Sequence, residues 1–422
     1  MVPGASRSEP ANNRQAANRL GCVAVPLLDG DLDETLAAVL DLWADPRFWP
    51  LAAPRDTLPQ LLIVVNAASD ERLAQVRGMV HARPVLSACF AGVTAVSAGL
   101  DGDRDLYLRD ETPGSGSFGR RAGPNFLFQS TMQHASAFGG MTLQIELDCL
   151  PVQAGWIEAT EAVLSAHPGA WVIGSLFSGS GTLSSRHSLH LNGNALYRTG
   201  DPAFCDFLDT IWMPRLMALA TQDANIAYDC WWSTERSMVD VLNPNEAWRL
   251  VRTYDSFFHN DPFVVNLLEG TSALSDFAIE FDRFDCLGRP PVFFHGSALK
   301  PLIRELLQNP SESIFDAINR IAPDTLAERA RPLRRADWTV CAAQSSRASA
   351  TNTPMPPPPA DLADTLSAAG LAAGLAARAL LCPDDPAIRA ELSGALDTTA
   401  PAIPTQMRAH LLRVLRFLDE RV

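Results

Sequence analysis

From Gly21 onward, short apolar runs alternate with amphipathic stretches, and this alternation limits what the chain can fold into. Residues 22–28 and 61–65 read as strands, whereas 32–45 and 70–81 carry helical periodicity. Strands separated by helices of that length predict an α/β fold with a largely parallel sheet. The chain has 422 residues and is 47% hydrophobic, enough for one large domain with an appendage or for two domains. Its formal charge of −14 argues against nucleic acid or an anionic membrane as a partner of the whole surface, while leaving room for a local basic pocket.

The pattern continues with a glycine-rich loop over 100–123, a helix over 124–138 and a strand over 142–151 ended by Pro151. A helix over 154–165, a strand over 171–176, a strand over 188–192 and a helix over 202–220 follow. A strand at 291–295 and helices over 302–307 and 314–321 close a main domain spanning 21–340. Residues 341–360 are rich in Ser and Pro, with four prolines at 356–359, and are expected to form a linker. Residues 361–422 return to helical periodicity and are expected to be a small tail, either a packing appendage or a module for oligomerisation or docking.

Residues 1–20 are polar, have no apolar segment of the kind a signal peptide needs, and are expected to be disordered. The eight cysteines form no C-x-x-C pair, so neither a zinc knuckle nor a dithiol motif is indicated. Reduced thiols, no transmembrane segment and a cytoplasmic location are the corresponding expectations.

Chemistry concentrates in three segments. The run from Thr142 to Pro151, read as one strand, puts Gln144, Glu146 and Asp148 on a face opposite Leu143, Ile145 and Leu147. Two carboxylates at i and i+2 near a strand's end can ligate Mg²⁺ or Mn²⁺. In His190-Leu191-Asn192-Gly193-Asn194-Ala195-Leu196-Tyr197, His190 and Asn192 would share a strand face, with Gly193 permitting a tight turn. Such a loop suits a polyhydroxylated ligand, although Asn-Gly also marks plain turns. In the third segment a strand ends at His295, and a small-residue turn brings Lys300 five residues later. Imidazole can complete a metal shell, and a lysine beside it can neutralise phosphate.

In this order, E-x-D, H-x-N-G-N-A-x-Y and H-G-x-x-x-K on an α/β chain resemble a nucleotide-sugar-dependent glycosyltransferase of the GT-A type, over roughly residues 21–310. The acid pair is similar to a bacterial and viral subgroup with an E-x-D form of the D-x-D motif. The resemblance implies a GT-A, Rossmann-like mixed sheet flanked by helices, and a metal-dependent hexosyltransferase-like enzyme. Its donor would be a nucleotide-diphosphate sugar, its acceptor a glycan or other hydroxyl, and its context surface polysaccharide or glycoconjugate synthesis.

The same resemblance implies the residue roles. Asp148 is the principal ligand of Mn²⁺ or Mg²⁺, Glu146 reaches the ribose or the metal, and His295 is the late ligand. Lys300 contacts the diphosphate, and Asn192, Gly193 and Asn194, with His190, lie beside the donor sugar and acceptor. Val25, Pro26 and Asn66 stand near base and ribose, and Asn125 on its helix lies beside the nucleotide. Asp229 matches the catalytic base of an inverting reaction; Tyr228 replaces the acid that usually precedes it, and Asp223 or Glu235 are alternatives.

Two other classes compete. A sugar-1-phosphate nucleotidyltransferase would need a glycine-rich, arginine-bearing loop after the first strand, where this chain has Pro26-Leu27-Leu28-Asp29-Gly30-Asp31. A non-catalytic nucleotide-sugar binding protein would account for the substituted acids at 146 and 228.

Overall fold

The computed structural model describes residues 19–107, 116–175, 190–266, 291–296, 299–314 and 316–317. The expected linker and tail, the turn at 178–181 and most of the first twenty residues lie outside them. By contact, the described residues divide into two units: those up to Met238 together with those from Leu250 on, and Val239–Arg249. The second unit holds a turn, where Asp240 Oδ1 accepts from Leu242 N and Asn243 N at 2.9 Å each, and the start of the helix Glu246–Tyr254.

The first unit is a mixed α/β assembly built on a seven-stranded sheet. Its strands are β1 (Leu20–Leu27), β2 (Gln60–Val65), β3 (Val93–Ser97), β4 (Met141–Gln144), β6 (Val172–Gly174), β7 (Leu196–Tyr197) and β8 (Phe258–Asn260), in the order β3-β2-β1-β4-β7-β6-β8. β3, β2, β1 and β4 run parallel, and β7 is antiparallel to both of its neighbours. β1 is apolar on both faces because a central parallel strand is covered on both sides. Val23, Val25 and Leu27 pack with Leu61, Ile63 and Val65 in one core, while Cys22 and Ala24 join Leu62, Val64 and Leu127 in another. The helix at 70–81 begins where Ser69 accepts from Arg72 N, an N-cap followed by Asp70 and Glu71 in the first turn.

A second, three-stranded sheet consists of β5 (Cys149–Pro151), β10 (Phe293–His295) and β9 (Val264–Asn266), with β10 in the middle. The expected strand over 142–151 is therefore two strands in two sheets. β4 ends at Gln144, a turn closed by Cys149 N donating to Glu146 O at 3.0 Å intervenes, and β5 departs to pair with β10. Ile145 and Leu147 still enter the core. Near Ala24 O, the acceptor of Ile145 N, β1 carries Pro26, which has no N–H to leave unpaired as β4 peels away.

Two further differences are local. Residues 190–192 run as loop into β7 instead of forming a strand, because Asn192 Oδ1 turns back to accept from Asn194 N at 2.9 Å. The helix expected over 32–45 opens as a wide π turn, Leu32–Leu36, before regular helix at Ala37–Ala44.

Trp156 packs the second sheet against the helix Ala37–Ala44. It is fully buried, 5.3 Å from Trp43 and 5.6 Å from Phe293 of β10 by ring centroids, and its Nε1 donates to Phe48 O at 3.1 Å. Trp156→Ala is expected to destabilise the protein by about 3–5 kcal/mol, read by urea denaturation.

Candidate functional site

The C-terminal ends of β1 and β4 open into a cavity of about 210 Å³. Crevices at that end of parallel strands are where open α/β sheets hold ligands. Pro26, Leu27, Leu28 and Asp31 line it from β1 and the turn after it; Pro124, Leu127 and Phe128 come from the helix Ala122–Ala135. Gln144, Glu146, Leu147 and Asp148 form its floor and edge, and Tyr107, Tyr228 and Lys300 complete it.

At this edge the two sheets bring one cluster together. β10 pairs antiparallel with β5 so that His295 sits opposite Cys149, one residue beyond Asp148, and Gly296 N donates to Asp148 O at 3.1 Å. His295 Nε2 is thereby 3.2 Å from Glu146 Oε2 and 3.6 Å from Asp148 Oδ1. The donor atoms of all three lie within 4.8 Å of one another. Ligands about 2.1–2.3 Å from a hard divalent ion stand about 3.0–3.3 Å apart on adjacent corners of an octahedron; the His295–Glu146 pair has that spacing and the His295–Asp148 pair is slightly wider.

The charges are interdependent. Burial pushes the Glu146 carboxyl upward, but the His295 bond and charge, the Asn194 amide and Lys300 bring it below its usual range. Burial raises Asp148, and Glu146 adds to the rise against the pull of His295 and Lys300. Burial opposes a charged His295, yet Glu146, Asp148 and Asp229 together raise its pKa.

The asparagine loop supports this cluster from behind. Asn194 Oδ1 accepts from Glu146 N at 2.7 Å, and its Nδ2 donates to Glu146 Oε2 at 3.3 Å and to Asn192 Oδ1 at 2.9 Å. Gly193 presents its carbonyl to Gln144 Nε2 at 3.0 Å and to the Tyr197 hydroxyl at 3.2 Å. Gln144 also donates to the Tyr228 hydroxyl at 2.8 Å, and Tyr228 is stacked on Phe128 at 4.1 Å. A Cβ on residue 193 would lie 1.9 Å from that hydroxyl, so only glycine fits there.

The remaining expected residues are distributed unevenly. Pro26 and Lys300 line the cavity. Val25 is turned into the core, because side chains alternate along β1. The Asn66 amide is bound to Asp29 N at 2.8 Å and to both Asp105 oxygens at 2.9 Å, tying two strand tips together. Asn125 is fully buried and donates to Ile226 O at 3.2 Å. Asp229, in the turn Tyr228–Cys230, is 3.5 Å from His190 Nε2. Of the alternative acids, Glu235 is committed to Arg215 at 2.7 and 2.9 Å and to Trp231 Nε1 at 3.1 Å.

Sequence reasoning did not single out the aromatic wall. Tyr107, Phe128 and Tyr228 come from three separate segments, and no spacing links them. A compositional signal did exist: the chain has four tyrosines, and three of them, at 107, 197 and 228, are in or against this site.

Three solved structures similar to this chain are glycosyltransferases. Mouse xyloside xylosyltransferase 1 in its apo form matches at a TM-score of 0.40 and 12% identity, over 67% of this chain and 99% of that one. The glycosyltransferase GlyE of Streptococcus pneumoniae TIGR4 matches at 0.35 and 9%, over 75% and 66%. A mannosyltransferase of Pyrobaculum calidifontis, solved with GDP-Man and Mn²⁺, matches at 0.28 and 11%, over 94% and 86%. No protein-family model and no curated protein sequence matches the chain. With scores this low, function has to be read from the site itself. Among the described residues no helix is long and apolar enough to cross a membrane.

Proposed function

We propose that the protein is a divalent-metal-dependent glycosyltransferase that moves a sugar from a nucleotide-diphosphate donor to an acceptor hydroxyl. The observation that carries this reading is the cluster of Glu146, Asp148 and His295 on the edge of a cavity that Lys300 also lines. Two carboxylates and an imidazole suit Mn²⁺ or Mg²⁺, and a cation beside them suits a diphosphate. When bound, such an ion supplies Lewis-acid stabilisation to the departing diphosphate.

The protein's own groups do the rest. Lys300 adds positive charge where the leaving group gathers negative charge. Pro26, Leu27, Leu28 and the rings of Tyr107, Phe128 and Tyr228 provide apolar walls that hold the donor and exclude water. Asn194 fixes Glu146 through both backbone and side chain, so the carboxylate does not have to reorient during turnover. Asp229 deprotonates the acceptor hydroxyl, with His190 orienting it. Direct attack under that base inverts the anomeric centre, and a product that retained its configuration by NMR would remove Asp229 from this role.

The first experiment is calorimetry with UDP-, GDP- and dTDP-sugars, with and without Mn²⁺, followed by a donor-hydrolysis assay. Metal-dependent binding with turnover is expected from one of them. Binding without turnover would instead favour a nucleotide-sugar binding protein. His295→Ala should raise the Mn²⁺ concentration needed for half-maximal donor binding by about 10–100-fold, and an unchanged requirement would remove the imidazole from the site.

A further inference from the structure

A second group of ligand-bearing side chains stands apart from the first. His190, Asp229 and Cys230 also place an imidazole nitrogen, a carboxylate oxygen and a thiol sulfur within 4.8 Å of one another. The turn Tyr228–Cys230 lets the neighbouring side chains of Asp229 and Cys230 converge, and His190 enters from the loop before β7 with Nε2 3.5 Å from Asp229 Oδ2. His190 is buried, and Asp229 and Cys230 are half-buried.

The two groups differ in chemistry. Glu146, Asp148 and His295 present two hard oxygens and a nitrogen, which suit Mn²⁺ or Mg²⁺, whereas a thiolate is a soft ligand that favours Zn²⁺ over either. With zinc–ligand distances of about 2.0–2.3 Å, the corners of a tetrahedron are about 3.3–3.8 Å apart, and the His190–Asp229 pair already spans such an edge. Thiolate, carboxylate and neutral imidazole around Zn²⁺ sum to zero net charge, which a half-buried pocket tolerates better than an isolated ion.

We propose that His190, Asp229 and Cys230 form a second metal site, selective for Zn²⁺ and distinct from the Mn²⁺ or Mg²⁺ site. Binding transfers the Cys230 thiol proton to solvent and leaves the fourth position to water. The site has a consequence for turnover, which rests on the reading of Asp229 as the base: with Zn²⁺ drawing electron density from its carboxylate, Asp229 is a much weaker base for the acceptor's proton. Zinc is then an inhibitor that added Mn²⁺ does not displace.

Cobalt(II) tests the site without donor or acceptor, because thiolate ligation produces a near-ultraviolet charge-transfer band. Titrating Co²⁺ into the full chain carrying Asp148→Asn, which weakens the other site, should develop this band to about one equivalent, with Zn²⁺ abolishing it. Cys230→Ser should remove the band, and His190→Gln should weaken Co²⁺ binding by about tenfold or more. No band in the parent, or a band that survives Cys230→Ser, overturns the site. If Cys230→Ser fails to fold by circular dichroism, the His190→Gln titration decides, and unchanged affinity there overturns it. A band without zinc inhibition supports the site and refutes Asp229 as the base.

Discussion

Replacing Asp148 by alanine is expected to lower metal-dependent turnover on the order of 10³-fold while leaving the fold intact. The expectation follows from where the residue stands. Asp148 is in the turn between β4 and β5, where its carbonyl, which alanine keeps, accepts from Gly296 N. Its carboxylate faces Glu146 and His295, and the Glu146 charge works against its ionisation. On the proposed metal role, removing it takes away a ligand; it also relieves a repulsion between like charges. Thermal unfolding separates these effects. In the parent protein, Mn²⁺ at about a hundred times its dissociation constant should stabilise the fold by about 2.7 kcal/mol. In Asp148→Ala that increment should largely vanish, with the metal-free melting temperature close to the parent's. Full activity in the variant would exclude a metal role for Asp148.

Gly193→Ala is the second change with a large expected effect, and it acts on both fold and site. Its new methyl would fall 1.9 Å from the Tyr228 hydroxyl and 2.6 Å from the ring carbon bearing it. Tyr228 has little freedom to move aside, since its ring is stacked on Phe128 and its hydroxyl accepts from Gln144. Overpacking of this kind costs about 1–3 kcal/mol. Displacing Tyr228 would also deform one wall of the cavity and the approach to Asp229, and misplaced groups of this order cost about 10²-fold in rate. Adding Tyr228→Phe should relieve the closest clash and recover part of the lost stability. Chemical denaturation of the single and double variants would check this, and equal stability of Gly193→Ala and the parent would show that the wall yields freely.

Most of the scaffold was legible in the sequence because its signals are local. The helix at 70–81 has an N-cap, acids in its first turn and an apolar stripe, and the structure has it at those residues. The continuous helical path from 202 to 220 opens with Asp201 accepting from Ala203 N and with Pro202 in the first turn. β3 and the short helix Pro84–Cys89 escaped the sequence reading because β3 is a half-buried edge strand, Val-Thr-Ala-Val-Ser, with weak alternation. The break at 145–148 was hidden for a different reason: Leu, Ile and Leu at period two satisfy a strand in one sheet as well as two strands in two sheets.

By itself the sequence determined the alternation of strands and helices and the acids, histidine and lysine available for chemistry, because these follow from local periodicity and residue type. Tertiary structure alone decided that Glu146 and Asp148 converge through a turn and not through strand alternation. It also decided that His295 meets them, because that depends on the register of β5 with β10 across more than 140 residues of chain. The aromatic wall and the pairing of His190 with Asp229 are likewise products of packing between distant segments, for which no spacing rule exists.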